Sequence, residues 1–206
     1  MKVFPAGFFR RPADVVAPEL LGATIVSTLG GRRVTGMIVE TEAYLGYDDP
    51  ASHAFRGRLH PGNRSLYGPP GTWYVYRSYG IHWCANLVCQ GGPGGAVLLR
   101  AAAPSAGIEA MRTRRGGVAD RRLANGPGKL CQALAITGAL DGTVMRGSSV
   151  QVGREPDIPP GAILVTPRIG ITKARERPLR YVLSLDPTPT PRRPLQPRSP
   201  GSPAHE

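Results

Sequence analysis

The sequence predicts an α+β fold: a single domain with a curved, mainly antiparallel β-sheet, flanking helices and a protruding β-hairpin. Two observations predict it. Strand-like runs follow one another in groups joined by short glycine-containing turns, and the helical segments stand apart from them instead of alternating strand by strand, as a parallel sheet would require. A chain of 206 residues can also bury one core without disulfide or metal staples.

The elements follow in order. Residues 13–21 read as a short helix. The apolar run 23–29 turns at Gly30-Gly31 into a second strand over 34–44, a hairpin signature. Asp48-Asp49-Pro50 suits a helix start, so 51–54 reads as one helical turn, followed by a Gly-, Pro- and Arg-rich loop over 56–71. Residues 72–77, 81–89 and 96–102 form three strands of a meander, the first two joined around Ser78-Tyr79-Gly80. Helices are expected at 105–115 and 129–136, and weaker strands near 149–152, 168–172 and 179–183. Residues 1–185 make the domain. Residues 186–206 carry seven prolines and almost no large apolar side chains, so they read as a disordered Pro/Arg-rich tail.

Charge restricts the partner. There are 26 basic against 14 acidic residues, a net +12, of which only +1 belongs to the tail (Arg192, Arg193 and Arg198 against Asp186 and Glu206). An excess of this size points to a polyanion. Twenty-three of the cations are arginine; arginine forks and stacks on phosphates and bases, although a biased codon composition accounts equally well for the Arg:Lys ratio. No apolar run approaches a membrane span and no signal-like segment opens the chain, so a soluble, unexported protein is expected. Cys84, Cys89 and Cys131 are odd in number and unevenly spaced, which fits a reducing compartment. His82, Cys84 and Cys89 lack a fourth donor at recognisable spacing, so no metal is expected. The run Gly91 to Gly95 has neither P-loop nor dinucleotide spacing and reads as a turn.

Two clusters carry candidate chemistry. Six of 13 aromatics (Tyr67, Trp73, Tyr74, Tyr76, Tyr79, Trp83) fall within 17 residues. Period-2 alternation puts Tyr74 and Tyr76 on one face, and Trp73 and Trp83 read as core. Tyr79 beside Gly80 is hard to bury at a tight turn and is suited to wedge into stacked bases. The second cluster places four carboxylates (Glu40, Glu42, Asp48, Asp49) within ten residues, after an apolar strand and near Tyr44 and His53. That grouping fits the positioning or deprotonation of water, and also a strand turning into solvent before a capped helix.

Several blocks, in order, are similar to the alkyladenine-type 3-methyladenine DNA glycosylases. They are Val39-Glu40-Thr41-Glu42-Ala43-Tyr44-Leu45-Gly46, Asp49-Pro50-Ala51-Ser52-His53-Ala54, Gly68-Pro69-Pro70-Gly71-Thr72-Trp73-Tyr74-Val75-Tyr76, Tyr79-Gly80, Cys84-Ala85-Asn86, Val97-Leu98-Leu99-Arg100-Ala101 and Asn125-Gly126-Pro127-Gly128-Lys129-Leu130-Cys131-Gln132-Ala133-Leu134. The resemblance covers about Leu20 to Arg180. It implies a monofunctional enzyme that flips a damaged purine from duplex DNA and hydrolyses its N-glycosidic bond, leaving an abasic site. The substrates implied are the 3-methyladenine, 7-methylguanine, hypoxanthine and ethenoadenine class, acted on by a monomer without a cofactor. In a bacterial source it would be cytoplasmic and nucleoid-associated.

By position, the resemblance makes Glu42 the general base and places Arg100 near the attacking water and the flipped nucleotide's phosphate. Tyr44, His53 and Tyr76 become walls around the base, Asn86 disfavours guanine, and Tyr79 is the intercalating wedge. Leu66-Tyr67 stands where the family commonly has Met-Phe, and Ile81 where it has Met; neither change removes a chemical group. Lys129 is not a Schiff-base lysine in this pattern, so no lyase activity is implied. A different class, a non-catalytic binder of damaged DNA or structured RNA, would keep the basic face and the wedge but has no reason to retain Glu42 beside His53.

Overall fold

The computed structural model describes residues 1–90, 93–154 and 162–184. One nine-stranded antiparallel sheet, with helices packed on it, confirms the α+β class. Its strands are β1 (Lys2–Val3), β2 (Thr24–Ser27), β3 (Val34–Tyr44), β4 (Trp73–Ser78), β5 (His82–Cys89), β6 (Gly95–Ala106), β7 (Val150–Arg154), β8 (Ile163–Thr166) and β9 (Arg180–Leu183). The order runs β1-β7-β2-β3-β6-β5-β4, with β9 also pairing β3 and β8 pairing β9. The helices are α1 (Ala13–Glu19), α2 (Ile108–Arg114) and α3 (Pro127–Ala133).

β3 organises the domain. It pairs β6 over most of its length, β2 through residues 34–37 and β9 through residues 40–42. Its pairing with β6 shifts register on both sides of Glu40, first by one extra residue on β3 and then by one on β6, which is Arg100. Such irregularities bend a strand and re-aim its side chains. Here they bring Glu40, Glu42 and Arg100 together. α1 packs on this strand with Val16 and Ala17 fully buried, and the Thr41 hydroxyl donates to the Ala17 carbonyl at 2.9 Å.

The core beneath joins Phe9, Leu20, Ile25, Ile38, Leu87, Leu99, Leu130 and Ile136, all essentially unexposed. Trp73 is among its largest side chains, and its indole N–H donates to the Val150 carbonyl; Trp83 is half-buried against the same cluster. β4 and β5 pair from Trp73↔Leu87 to Ser78↔His82, so Tyr79, Gly80 and Ile81 form the connection. Ile81 N–H donates to the Ser78 carbonyl, and Tyr79 and Gly80 both have positive φ (51° and 68°). That geometry suits a hairpin's right-handed twist but is unfavourable for tyrosine by roughly 1–2 kcal/mol.

Some expectations are corrected. Residues 51–54 form turns instead of helix, because Asp49 accepts from the Ala51 N–H and pairs with an arginine, holding the segment as a side-chain-capped loop. Residues 168–172 are not a strand. The chain there leaves the sheet to reach the site, and the strand lies earlier, at β8. The helix expected from 105 begins only at Ile108, since Ser105 and Ala106 continue β6. The expected tail lies outside the described residues, as do residues 91 and 92 of the expected turn over 91–95; Pro93 and Gly94 are turn, and Gly95 opens β6.

Candidate functional site

The sheet opens at one end into a cavity of about 470 Å³, bounded by β3, the turns at 51–53, β4, β5, β6 and residues 169–171. Cavities of this size hold small organic ligands. Tyr44, His53, Tyr76, Tyr79, Asn86 and Arg100 all line it, so residues read from separate sequence blocks converge. Glu42 lies behind Tyr44 and Arg100 with no exposed surface.

The Glu42 carboxylate is held by three donors. Ile169 N–H donates to Oε1 at 2.8 Å, while the Tyr44 hydroxyl (2.9 Å) and Arg100 Nη1 (3.1 Å) donate to Oε2. Two carboxylate oxygens offer about four acceptor positions, so one remains. Arg100 Nε donates to Glu40 Oε1 at 2.9 Å, and the same oxygen accepts from Arg180 Nε at 2.6 Å. Burial alone would lower the Arg100 pKa, but Glu42 and Glu40 outweigh it and hold the guanidinium charged. Burial, and then Glu42, pushes the Tyr44 phenol well up, so it keeps the proton it donates.

The aromatic walls have two sides. Tyr74 and Tyr76 stack at 5.3 Å between centroids, as β-strand alternation predicts, and His53 meets Tyr76 edge-on at 4.5 Å. Tyr74 Oη lies 2.6 Å from His53 Nδ1. Burial raises the Tyr74 phenol, so Tyr74 is the donor, and a neutral His53 then carries its proton on Nε2. Burial, followed by the charges of His60 and Arg58, lowers the His53 pKa and favours that neutral form. Asn63 fixes the loop by donating to the carbonyls of His53 (3.1 Å) and Arg58 (2.9 Å). Asn86 is buried in the floor and donates to the Tyr74 carbonyl at 3.0 Å. Tyr79 is 87% exposed at the rim.

Of the four clustered acids, Glu40 and Glu42 face arginines and Asp49 pairs with Arg168, whose Nη2 donates to Oδ1 at 2.8 Å; none of these three turns into solvent. Arg168, Ile169 and Tyr74 were missed by sequence reading as site residues. Tyr74 had a signal, its shared face with Tyr76. Arg168 and Ile169 had none, because they lie more than 100 residues from their partners. Lys129 donates to Asn125 Oδ1 at 2.9 Å and is absent from the cavity lining. Cys84, on the lining, and the buried Cys89 and Cys131 are free thiols; burial raises the Cys89 thiol to about 12. No group of three or more metal-ligating side chains occurs among the described residues, and no helix among them is long and apolar enough to cross a membrane.

A family model described as methylpurine-DNA glycosylase matches residues 7–187. A protein of Agrobacterium fabrum is 50% identical over 179 residues, covering 87% of this chain and 88% of that one. One from Granulibacter bethesdensis is 49% identical over 183 residues, covering 86% and 82%. One from Chlorobaculum tepidum is 44% identical over 202 residues, covering 94% and 96%. Each of the three carries the name "Putative 3-methyladenine DNA glycosylase".

Proposed function

The chain belongs to the methylpurine-DNA glycosylase family and is a DNA N-glycosylase; on that premise we propose that it flips alkylated or deaminated purines out of duplex DNA into the aromatic cavity and hydrolyses their glycosidic bond. The carrying observation is Glu42: a carboxylate removed from bulk solvent, held by three donors and left with one acceptor position beside a cavity walled by aromatic rings. That position, on Oε1 beside the Ile169 N–H, accepts a hydrogen bond from a single water. Glu42 then orients and deprotonates this water as it attacks the anomeric carbon, and its charge stabilises the oxocarbenium-like transition state.

The other residues divide the remaining work. Tyr44 stacks on one face of the base, and the edge-to-face pair His53 and Tyr76 bounds the other. Asn86 crowds the 2-amino group of guanine. Arg100 holds Glu42 and presents its remaining edge toward the flipped nucleotide. Tyr79, projecting from the hairpin, fills the gap in the duplex from the minor-groove side. An N3- or N7-alkylated purine is already cationic and leaves without an acid, so one carboxylate suffices for it where ordinary sugar hydrolases use two; a neutral purine takes a proton from solvent water as it leaves. The substrates are the 3-methyladenine, 7-methylguanine, hypoxanthine and ethenoadenine class. One chain supplies every residue named, which supports action as a monomer.

The test is a duplex carrying one lesion, incubated with the protein and then treated with alkali. Strand cleavage at the lesion is expected only after the alkali. Intact DNA across alkylated and deaminated purines would refute the proposal, and cleavage before alkali would refute the monofunctional assignment.

A further inference from the structure

The rear of the Tyr44 wall is occupied by a charge the mechanism has not used. Arg168 is buried outside the cavity lining, and its guanidinium carbon stands 4.7 Å from the Tyr44 ring centroid. Its Nη1 donates to the Ala43 carbonyl at 3.0 Å, and both Nη atoms bond to Asp49. The next residue, Ile169, donates to Glu42, and residues 169–171 line the cavity. One short segment therefore fixes both the carboxylate and the ring on which the base is to stack.

A ring with a cation on one face attracts a second cation on the other face less strongly, because the two charges repel through it. A base stacked on the cavity face of Tyr44 would lie about 8 Å from the guanidinium, close enough for this repulsion to act in a site of low water content. Asp49 offsets part of it. The surrounding buried charges do not tip the balance: Glu40, Glu42 and Asp49 face Arg100, Arg168 and Arg180, three of each sign. What remains is a matter of position, and Arg168 is the cation placed over the ring.

We propose that Arg168 is a positioning residue that sets the base preference of the cavity: it clamps Tyr44 from behind, and its charge disfavours cationic purines relative to neutral ones. The inference rests on the glycosylase reading of the cavity.

The experiment measures single-turnover release of 7-methylguanine, a cation, and hypoxanthine, which is neutral, from otherwise identical duplexes. Each variant is first isolated as folded protein by gel filtration. In the double variant Asp49→Asn/Arg168→Met, which removes both charges, the ratio of cationic to neutral release rises by about three- to ten-fold. In Asp49→Asn alone, where the cation is left less compensated, the ratio falls. Arg168→Lys keeps the charge and changes the ratio by less than about two-fold, although both rates drop with the loss of the fork. Each arm decides alone if another variant does not fold. A ratio unchanged in the double variant, with both rates falling by a common factor, would show mere structural support and overturn the inference. So would an unaltered chain that releases only the cationic base. Release of neither base by the unaltered chain refutes the glycosylase reading itself, which keeps the two failures distinct.

Discussion

Replacing Glu42 with Gln alters one charge and almost no volume, and its consequences follow from the three donors around it. Ile169 N–H, Tyr44 O–H and Arg100 Nη1 all point at the carboxylate oxygens. A Gln side chain keeps one oxygen and turns an N–H₂ toward at least one donor. The loss is a charge-assisted hydrogen bond, worth about 1.5–3 kcal/mol. Arg100 retains Glu40, so its charge is not stranded. For a domain of this length that loss corresponds to a melting temperature lower by roughly 3–12 °C, and the protein stays folded. The rate of base release should fall much further, by about 10²- to 10⁴-fold, because the proposed acceptor of the water's proton is gone. Gel shift on a lesion duplex should show binding close to wild type, while single-turnover release measures the rate. Release within ten-fold of wild type would refute the role of Glu42. Failure to bind would show instead that the carboxylate's task is to hold the cavity together.

Other outcomes follow from the same geometry. Asp49→Ala strands the buried Arg168 and should cost about 3–5 kcal/mol, read as a lowered denaturant midpoint; a loss under about 1 kcal/mol would show that the pair contributes little. Tyr79→Ala should leave general duplex affinity and its salt dependence intact while weakening capture of the flipped base, so activity equal to wild type would remove the wedge assignment. Gly46 has φ 76°, and a Cβ there would press on the Pro93 carbonyl and Gly94, so Gly46→Ala should destabilise by roughly 2–4 kcal/mol in thermal melts. For His53 the lowered pKa means that the folded state favours the neutral ring. Its contribution to stability is full above the unfolded value near 6.5 and is lost as pH falls through the lowered folded value. His53→Gln should flatten stability across that window, and an unchanged pH profile would assign the dependence to another group.

The fold was legible where pattern is local. Alternation in 34–44 and 72–89, with the Gly30-Gly31 and Tyr79-Gly80 turns, was enough to place four strands and their antiparallel pairing. The facing of Tyr74 and Tyr76 followed from the same periodicity. What could not be read is what depends on distant partners. The acids from 40 to 49 also fitted a solvent-facing strand end, because the sequence does not show that Arg100, Arg168 and Arg180 arrive to neutralise them. The register shifts beside Glu40 leave no compositional mark. Residues 168–172 have strand-like composition but are drawn away from the sheet by Asp49 and Glu42, an instance of tertiary contacts overriding local preference.

The long reach of the 168–169 segment has a consequence for how the protein is made. Synthesis proceeds from the N-terminus at about 5–20 residues per second, and Glu42 emerges long before Ile169 does. Until then the carboxylate lacks its Oε1 donor, and Asp49 lacks Arg168. β9, which pairs with β3 at Glu40 to Glu42, comes later still. A partly made chain thus carries Glu42 in an unfinished setting, and on the proposed mechanism hydrolytic competence arrives only with the final third of the polypeptide. Truncated products released early from the ribosome would still carry β2 to β6 and the hairpin, without the groups that place the acid for chemistry on DNA.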